Sequence, residues 1–256
     1  MRKRLIVGNW KMNMLRNEAL EVTQNLSELL RDLNEVDIVI APPYTSLDIV
    51  YKVICKTKIQ LAAQNVFWEQ SGAFTGEISP YMLIDAGCKW VIIGHSERRV
   101  ILGESDNMVQ RKIKASINAG LIPILCVGET LDERKKGYTM KVIKNQLEEG
   151  LKSINIESPN GITIAYEPVW AIGTGNNATP EDAQEVHGFI RETLNEIFIG
   201  IADKIRILYG GSVTPENIKD IILPLDIDGA LIGGASLRSD SFAKIAKLIG
   251  GMAHWT

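Results

Sequence analysis

The chain has little that would mark it for a membrane, a nucleic acid or a metal. No stretch of its 256 residues is apolar for long enough to cross a bilayer. The one candidate leader, Met1-Arg2-Lys3-Arg4, runs into only Leu5-Ile6-Val7 before Gly8-Asn9-Trp10-Lys11, too short an apolar core for a signal peptide. A basic excess is missing too. The 28 Lys and Arg against 31 Asp and Glu leave a formal charge of -3, whereas binding a phosphate backbone needs clustered cations. Cys55, Cys88 and Cys126 are odd in number, with no Cys-x-x-Cys spacing and no nearby histidine to complete a zinc site. They read as reduced, mostly buried thiols in a soluble, cytoplasmic protein. No grouping of Asp and His suits a metal, so a metal-free chemistry is expected. No linker divides the chain either, and residues 1–256 are expected to form a single domain around one core.

What is present is an alternation. Short runs rich in Ile, Val and Leu recur at Leu5 to Val7, Ile38 to Ala41, Ile59 to Ala63, Trp90 to Ile93, Ile122 to Val127, Ile162 to Tyr166, Ile205 to Tyr209 and Ala230 to Ile232. Runs apolar on both faces are the mark of a covered parallel sheet, and most intervals leave room for a helix and two loops. Between them lie stripes of helical period: Val22, Leu26, Leu29, Leu30 and Leu33; then Val109, Ile113 and Ile117; then Ala183, Val186, Ile190, Leu194 and Ile197. Ser79-Pro80, Thr179-Pro180-Glu181 and Thr214-Pro215-Glu216 each put a capping hydroxyl before a proline that suits the first helical position. Eight βα units in series predict an α/β fold, a closed (β/α)8 barrel, with an open doubly wound sheet as the alternative. Pro123 is awkward for a central strand but tolerable near its start.

In such an array the residues just after each strand share one face, where barrel enzymes keep their chemistry. That face would collect Asn9 and Lys11, then His95, Ser96 and Glu97, then Glu167, and the turns Gly210-Gly211-Ser212 and Gly233-Gly234. A glycine pair after a strand is ordinarily just a tight turn. Two of them after strands seven and eight, with a lysine on the same face, point to an anion site, since glycines let backbone N–H groups approach a phosphate. Lys11 would neutralise that anion. His95 stands before Ser96-Glu97-Arg98-Arg99, which reads as a helix start. A ring nitrogen accepting a backbone N–H there would stay neutral, leaving the other free to donate to a carbonyl or enediolate oxygen. Glu167, held extended by Pro168, is the candidate general base, its basicity expected to rise with partial desolvation. Glu97 and Glu129 are assigned to hydrogen-bonding support, and His187 and His254 to positions off the active face. The apolar segment Pro168-Val169-Trp170-Ala171-Ile172-Gly173-Thr174-Gly175 reads as a lid, with glycines to permit movement. Asn65 to Glu77 is long for a βα loop and holds three aromatic residues, which suggests a function for it.

These motifs, in order and nearly end to end, resemble the triosephosphate isomerase family: Gly8-Asn9-Trp10-Lys11-Met12-Asn13, Ile93-Gly94-His95-Ser96-Glu97-Arg98-Arg99, Cys126-Val127-Gly128-Glu129-Thr130, Ala165-Tyr166-Glu167-Pro168-Val169-Trp170, Tyr209-Gly210-Gly211-Ser212-Val213 and Gly233-Gly234-Ala235-Ser236-Leu237. The resemblance implies cofactor-free interconversion of dihydroxyacetone phosphate and glyceraldehyde 3-phosphate through an enediolate, in glycolysis and gluconeogenesis. It makes Glu167 the base, His95 the electrophile and Lys11 the cation beside the substrate. Asn9 would assist, and Gly173, Ser212, Gly233 and Gly234 would hold the phosphate. It further implies a homodimer in which Phe74, Thr75 and Gly76 insert beside the partner's Lys11 and His95. Two other readings stand beside it. A phosphate-binding barrel lyase or epimerase would want further carboxylates, a metal or a Schiff-base lysine, and a non-catalytic phosphosugar-binding protein could share the fold alone.

Overall fold

The computed structural model describes residues 2–171 and 178–252. Eight strands form one closed parallel barrel in sequence order: β1 (Arg4–Asn9), β2 (Val36–Ala41), β3 (Gln60–Ala63), β4 (Trp90–Ile93), β5 (Ile122–Val127), β6 (Thr163–Tyr166), β7 (Arg206–Tyr209) and β8 (Gly229–Ile232). All eight apolar runs are therefore strands, and the open sheet is excluded by the pairing of β1 with β8. Pro123 sits second in β5, opposite Val91, and the ladder continues past it to the Ile93–Leu125 pair. The helices around the barrel are α1 (Arg16–Leu29), α2 (Leu47–Ile54), α3 (Pro80–Asp85), α4 (Ser96–Val100), α5 (Asp106–Ala119), α6 (Leu131–Lys135), α7 (Thr139–Gly150), α8 (Pro180–Ile197), α9 (Ile218–Ile222) and α10 (Ser239–Met252). Among the described residues, no helix is long and apolar enough to cross a membrane.

Alternation along each strand sorts the core into two layers. Leu5, Val7, Val39, Ala41, Ala62, Trp90, Ile92, Ile124, Cys126, Ala165, Leu208 and Leu231 fill the barrel interior. Their neighbours Ile6, Ile38, Ile40, Leu61, Val91, Ile93, Leu125, Ile164 and Ile207 pack outward among the helices. The lower end of the interior is closed by Trp90, whose indole donates to Gln60 and lies under the Arg206 guanidinium, itself paired with Asp37 at 2.8 Å. At the seam, Gly229 adopts φ +153°, and a Cβ there would fall 1.8 Å from the Leu5 carbonyl oxygen. Only glycine lets β8 come that close to β1.

The helix signals hold with two exceptions. Ser79 and Thr179 accept hydrogen bonds from the amides of Met82 and Asp182, as N-caps do, with proline at the first helical position. Thr214-Pro215-Glu216, by contrast, begins no α-helix. The chain makes a turn there, with the Glu216 backbone N–H donating to the Thr214 hydroxyl, and α9 starts only at Ile218. Leu29 departs from its apolar stripe and is exposed, because the buried face of α1 runs through Ala19, Thr23 and Leu26 and on to Leu30. Of the cysteines, Cys88 and Cys126 are buried and Cys55 is exposed.

Candidate active site

The upper ends of the strands bring Asn9, Lys11, His95, Glu167, Gly210, Gly211, Ser212, Gly233 and Gly234 around one cavity of about 490 Å³. Lys11 reaches it through a backbone kink. Its φ of +54° is the left-handed region, which costs a side-chain-bearing residue roughly 1–2 kcal/mol. The kink is held from both sides: Lys11 N–H donates to the Asn9 side chain at 3.0 Å, and the Gln64 amide donates to the Lys11 carbonyl at 2.8 Å. The ammonium then lies 2.6 Å from Glu97 Oε1, and the place of a Cβ on Gly233 is only 3.7 Å from Lys11 Nζ. The cation therefore stands directly over the glycine turn after β8.

His95 is the N-cap of α4. Its Nδ1 accepts the Glu97 amide hydrogen at 3.2 Å, so the ring proton sits on Nε2, which faces Glu167 Oε1 at 3.0 Å. Burial lowers the imidazole pKa, but the Glu167 carboxylate and then Glu97 push it up, for a net rise while those charges face it. A cationic ring would set a second N–H against the Glu97 amide. The hydrogen-bond geometry favours the neutral tautomer.

Glu167 is buried, and its second oxygen accepts the Ser96 backbone N–H at 2.7 Å. The expected rise in its basicity is reversed in this arrangement. Desolvation does raise the pKa, but a positive charge on His95 when the ring is protonated, and the hydrogen bonds from His95 and the Ser96 amide, outweigh it and hold the carboxylate below its ordinary value. Its backbone N–H donates to the Val127 carbonyl at 2.8 Å, which ties the base to β5.

Glu129 takes the supporting role expected of it: it accepts from the Tyr166 hydroxyl at 3.2 Å and the Trp170 indole at 2.9 Å. Arg134 stacks over Trp170 and pairs with Asp182 at the start of α8, so one guanidinium touches both sides of the expected lid. Within that lid Val169–Ala171 forms one 3-10 turn; residues 172–177, including Gly173, lie outside the described residues, as does His254. His187 is off the site, buried between the Tyr166 and Tyr209 rings, with burial lowering its pKa to about 4. Among the described residues, no three His, Cys, Asp or Glu side chains are grouped as metal ligands.

Sequence reasoning missed part of this site. Arg238, Ser241 and Glu216 line the same cavity, and Cys126, expected only as a reduced thiol, is fully buried, with burial first and then the Glu167 carboxylate pushing its pKa well up. Its place at the upper end of β5 was the available signal. Glu97 is more than a support for His95, because its carboxylate is the ion partner of Lys11.

Residues 4–249 match the family model described as triosephosphate isomerase. A protein of that name from Carboxydothermus hydrogenoformans is 53% identical over 96% of this chain and 99% of its own length. One from Dictyoglomus thermophilum is 50% identical over 96% of this chain and 100% of its own. The crystal structure of triosephosphate isomerase from Bartonella henselae superposes with a TM-score of 0.89 at 38% identity, covering 99% of this chain and 100% of that one. With a closed barrel, a buried imidazole, a buried carboxylate and a cation over a glycine turn all meeting in one cavity, the chain belongs to the triosephosphate isomerase family.

Proposed function

We propose that the chain interconverts dihydroxyacetone phosphate and D-glyceraldehyde 3-phosphate, a step of glycolysis and gluconeogenesis, by moving a proton between adjacent carbons through an enediolate. The observation that carries the site assignment is the His95–Glu167 contact at 3.0 Å. Both groups need the same space: a base must touch the carbon-bound proton and an electrophile the neighbouring oxygen. Substrate entering between them replaces that contact. Glu167 then loses the His95 contact that holds its pKa down, while its burial remains, so its basicity rises where the proton is to be taken. His95 Nε2–H turns to the carbonyl oxygen and stabilises the enediolate, with Lys11 supplying positive charge. Asn9 holds the Lys11 kink, and Ser212, Gly233 and Gly234 line the part of the cavity suited to the phosphate. Gly173 is assigned to the same phosphate by its place in the lid segment. No cofactor or metal is required.

A coupled assay on purified protein tests this reading. Turnover of glyceraldehyde 3-phosphate that survives a chelator is expected. Loss on chelation would favour a metal-dependent barrel enzyme, and no turnover at all a binding protein.

The working form is proposed to be a cytoplasmic homodimer. Phe74 is half exposed at the tip of a loop stiffened by its own aromatic contacts, Phe67 to Trp68 at 4.1 Å and Phe67 to Phe74 at 4.7 Å, and Thr75 and Gly76 beside it are exposed. Met12, Leu15, Met82, Val100, Ile101 and Leu102 are exposed as well, all on segments that follow β1, β3 and β4. So much apolar surface beside the cavity calls for cover. Sedimentation should give twice the chain mass, and Thr75→Glu should shift it toward monomer with loss of activity. A fully active monomer at assay concentration would refute the dimer.

A further inference from the structure

The Arg98-Arg99 pair is not absorbed by this chemistry, and the two arginines do different work. Arg98 pairs with the buried Glu104. Arg99, in the last turn of α4, turns its guanidinium back to the Gly94 carbonyl just ahead of that helix. Its Nε donates to the Gly94 carbonyl at 2.7 Å, Nη2 to the Cys126 carbonyl at 3.3 Å, and Nη1 to Asp106 Oδ1 at 2.5 Å. The side chain is only 13% exposed.

These two carbonyls have a topological meaning. The β4–β5 ladder ends at the pair Ile93–Leu125. Gly94 and Cys126 would be the next pair in that register, but Gly94 leaves the strand with φ +72°, a conformation suited to glycine, and a Cβ there would fall 2.9 Å from Arg99 Nη2. One planar fork thus spans the place where the next rung of the sheet would stand, and Asp106 on α5 holds the fork in plane. The residues it joins border the chemistry. Gly94 precedes His95, and the residue after Cys126, Val127, accepts the Glu167 N–H at 2.8 Å.

We propose that Arg99 is a positioning residue for the proton transfer: by clamping the ends of β4 and β5 together it sets where His95 stands relative to Glu167. The inference rests on the roles given above to those two residues. A lysine keeps the charge but presents a point donor that cannot serve both carbonyls and Asp106 at once. A displacement of about an ångström at a reacting group costs on the order of a hundredfold in rate.

The test compares the parent with Arg99→Lys and Asp106→Asn, measuring kcat, KM, melting temperature, inhibition by glycerol 3-phosphate and the imidazole nitrogen resonances of His95. Arg99→Lys should lower kcat at least about tenfold. KM and the inhibition should change less than about twofold, because the phosphate is held on the other side of the barrel, and the His95 resonances should move. Asp106→Asn should act in the same direction but less, and it carries the test if Arg99→Lys does not fold. Unchanged kcat per folded site overturns the proposal, whether or not the melting temperature falls, because a merely structural arginine would show that pattern. An inactive parent refutes the functional reading together with this one; an active parent indifferent to both substitutions refutes this one alone.

Discussion

Glu167→Gln is expected to fold and to lose isomerase activity by about three orders of magnitude or more, the largest effect of any single change in this molecule. The amide can still accept the Ser96 N–H that the carboxylate accepts, and it removes a buried charge, so folding loses little. It cannot accept a proton from carbon. Glu167→Asp keeps the charge but withdraws it by one methylene, which should cost about a hundredfold. In both variants the loss should lie in kcat, with affinity for glycerol 3-phosphate nearly unchanged, because Lys11, Ser212 and the Gly233 turn are untouched. Steady-state kinetics on variants with parental circular dichroism decides the matter. A folded Glu167→Gln protein turning over at near the parental rate would end Glu167's candidacy as the base.

Lys11→Met should rank second, lowering kcat/KM by about 10²–10³-fold. Its ammonium is the cation poised over the Gly233 turn, where in the proposed reaction it would meet both the substrate's phosphate and the enediolate charge. Removing it should therefore raise KM and depress kcat together, unlike the Glu167 variants. Stability should hardly change. The Lys11–Glu97 pair is partly exposed and such pairs contribute about 1 kcal/mol or less, while methionine pays the same backbone cost at φ +54° as lysine does. Near-normal kcat/KM, or a variant that fails to fold, would contradict this account.

The barrel was legible in the sequence because parallel strands covered on both faces must be apolar throughout, as Ile38 to Ala41 and Trp90 to Ile93 are. The site was legible for a related reason. Once the strands share one direction, whatever follows them shares one face, and Lys11, His95 and Glu167 do line one cavity. What escaped was set by distant partners. Thr214-Pro215-Glu216 has the grammar of a helix start and makes capping contacts, with Asn217 accepting the Thr214 N–H, yet the chain there forms a turn and the regular helix begins only at Ile218. The basicity of Glu167 was judged from burial alone, but the sign of its shift depends on two donors more than seventy residues upstream. The Arg99 fork could not be read either, since two of its three acceptors are backbone carbonyls, which carry no letter in a sequence.

The seam between β8 and β1 has a consequence for how the molecule is made. Lys11 comes from the first strand's loop and Gly233 from the last, and they meet only because the closing rungs Leu5–Gly229 to Gly8–Ile232 form. A ribosome has therefore exported nearly the whole chain before the cation has its glycine turn to stand over. Until then β1 waits with one edge unpaired, dependent on β2 alone to protect it. A nascent chain arrested after β7 would lack the Gly233 turn, so the phosphate binding proposed for this site should arrive last in synthesis, with the eighth strand.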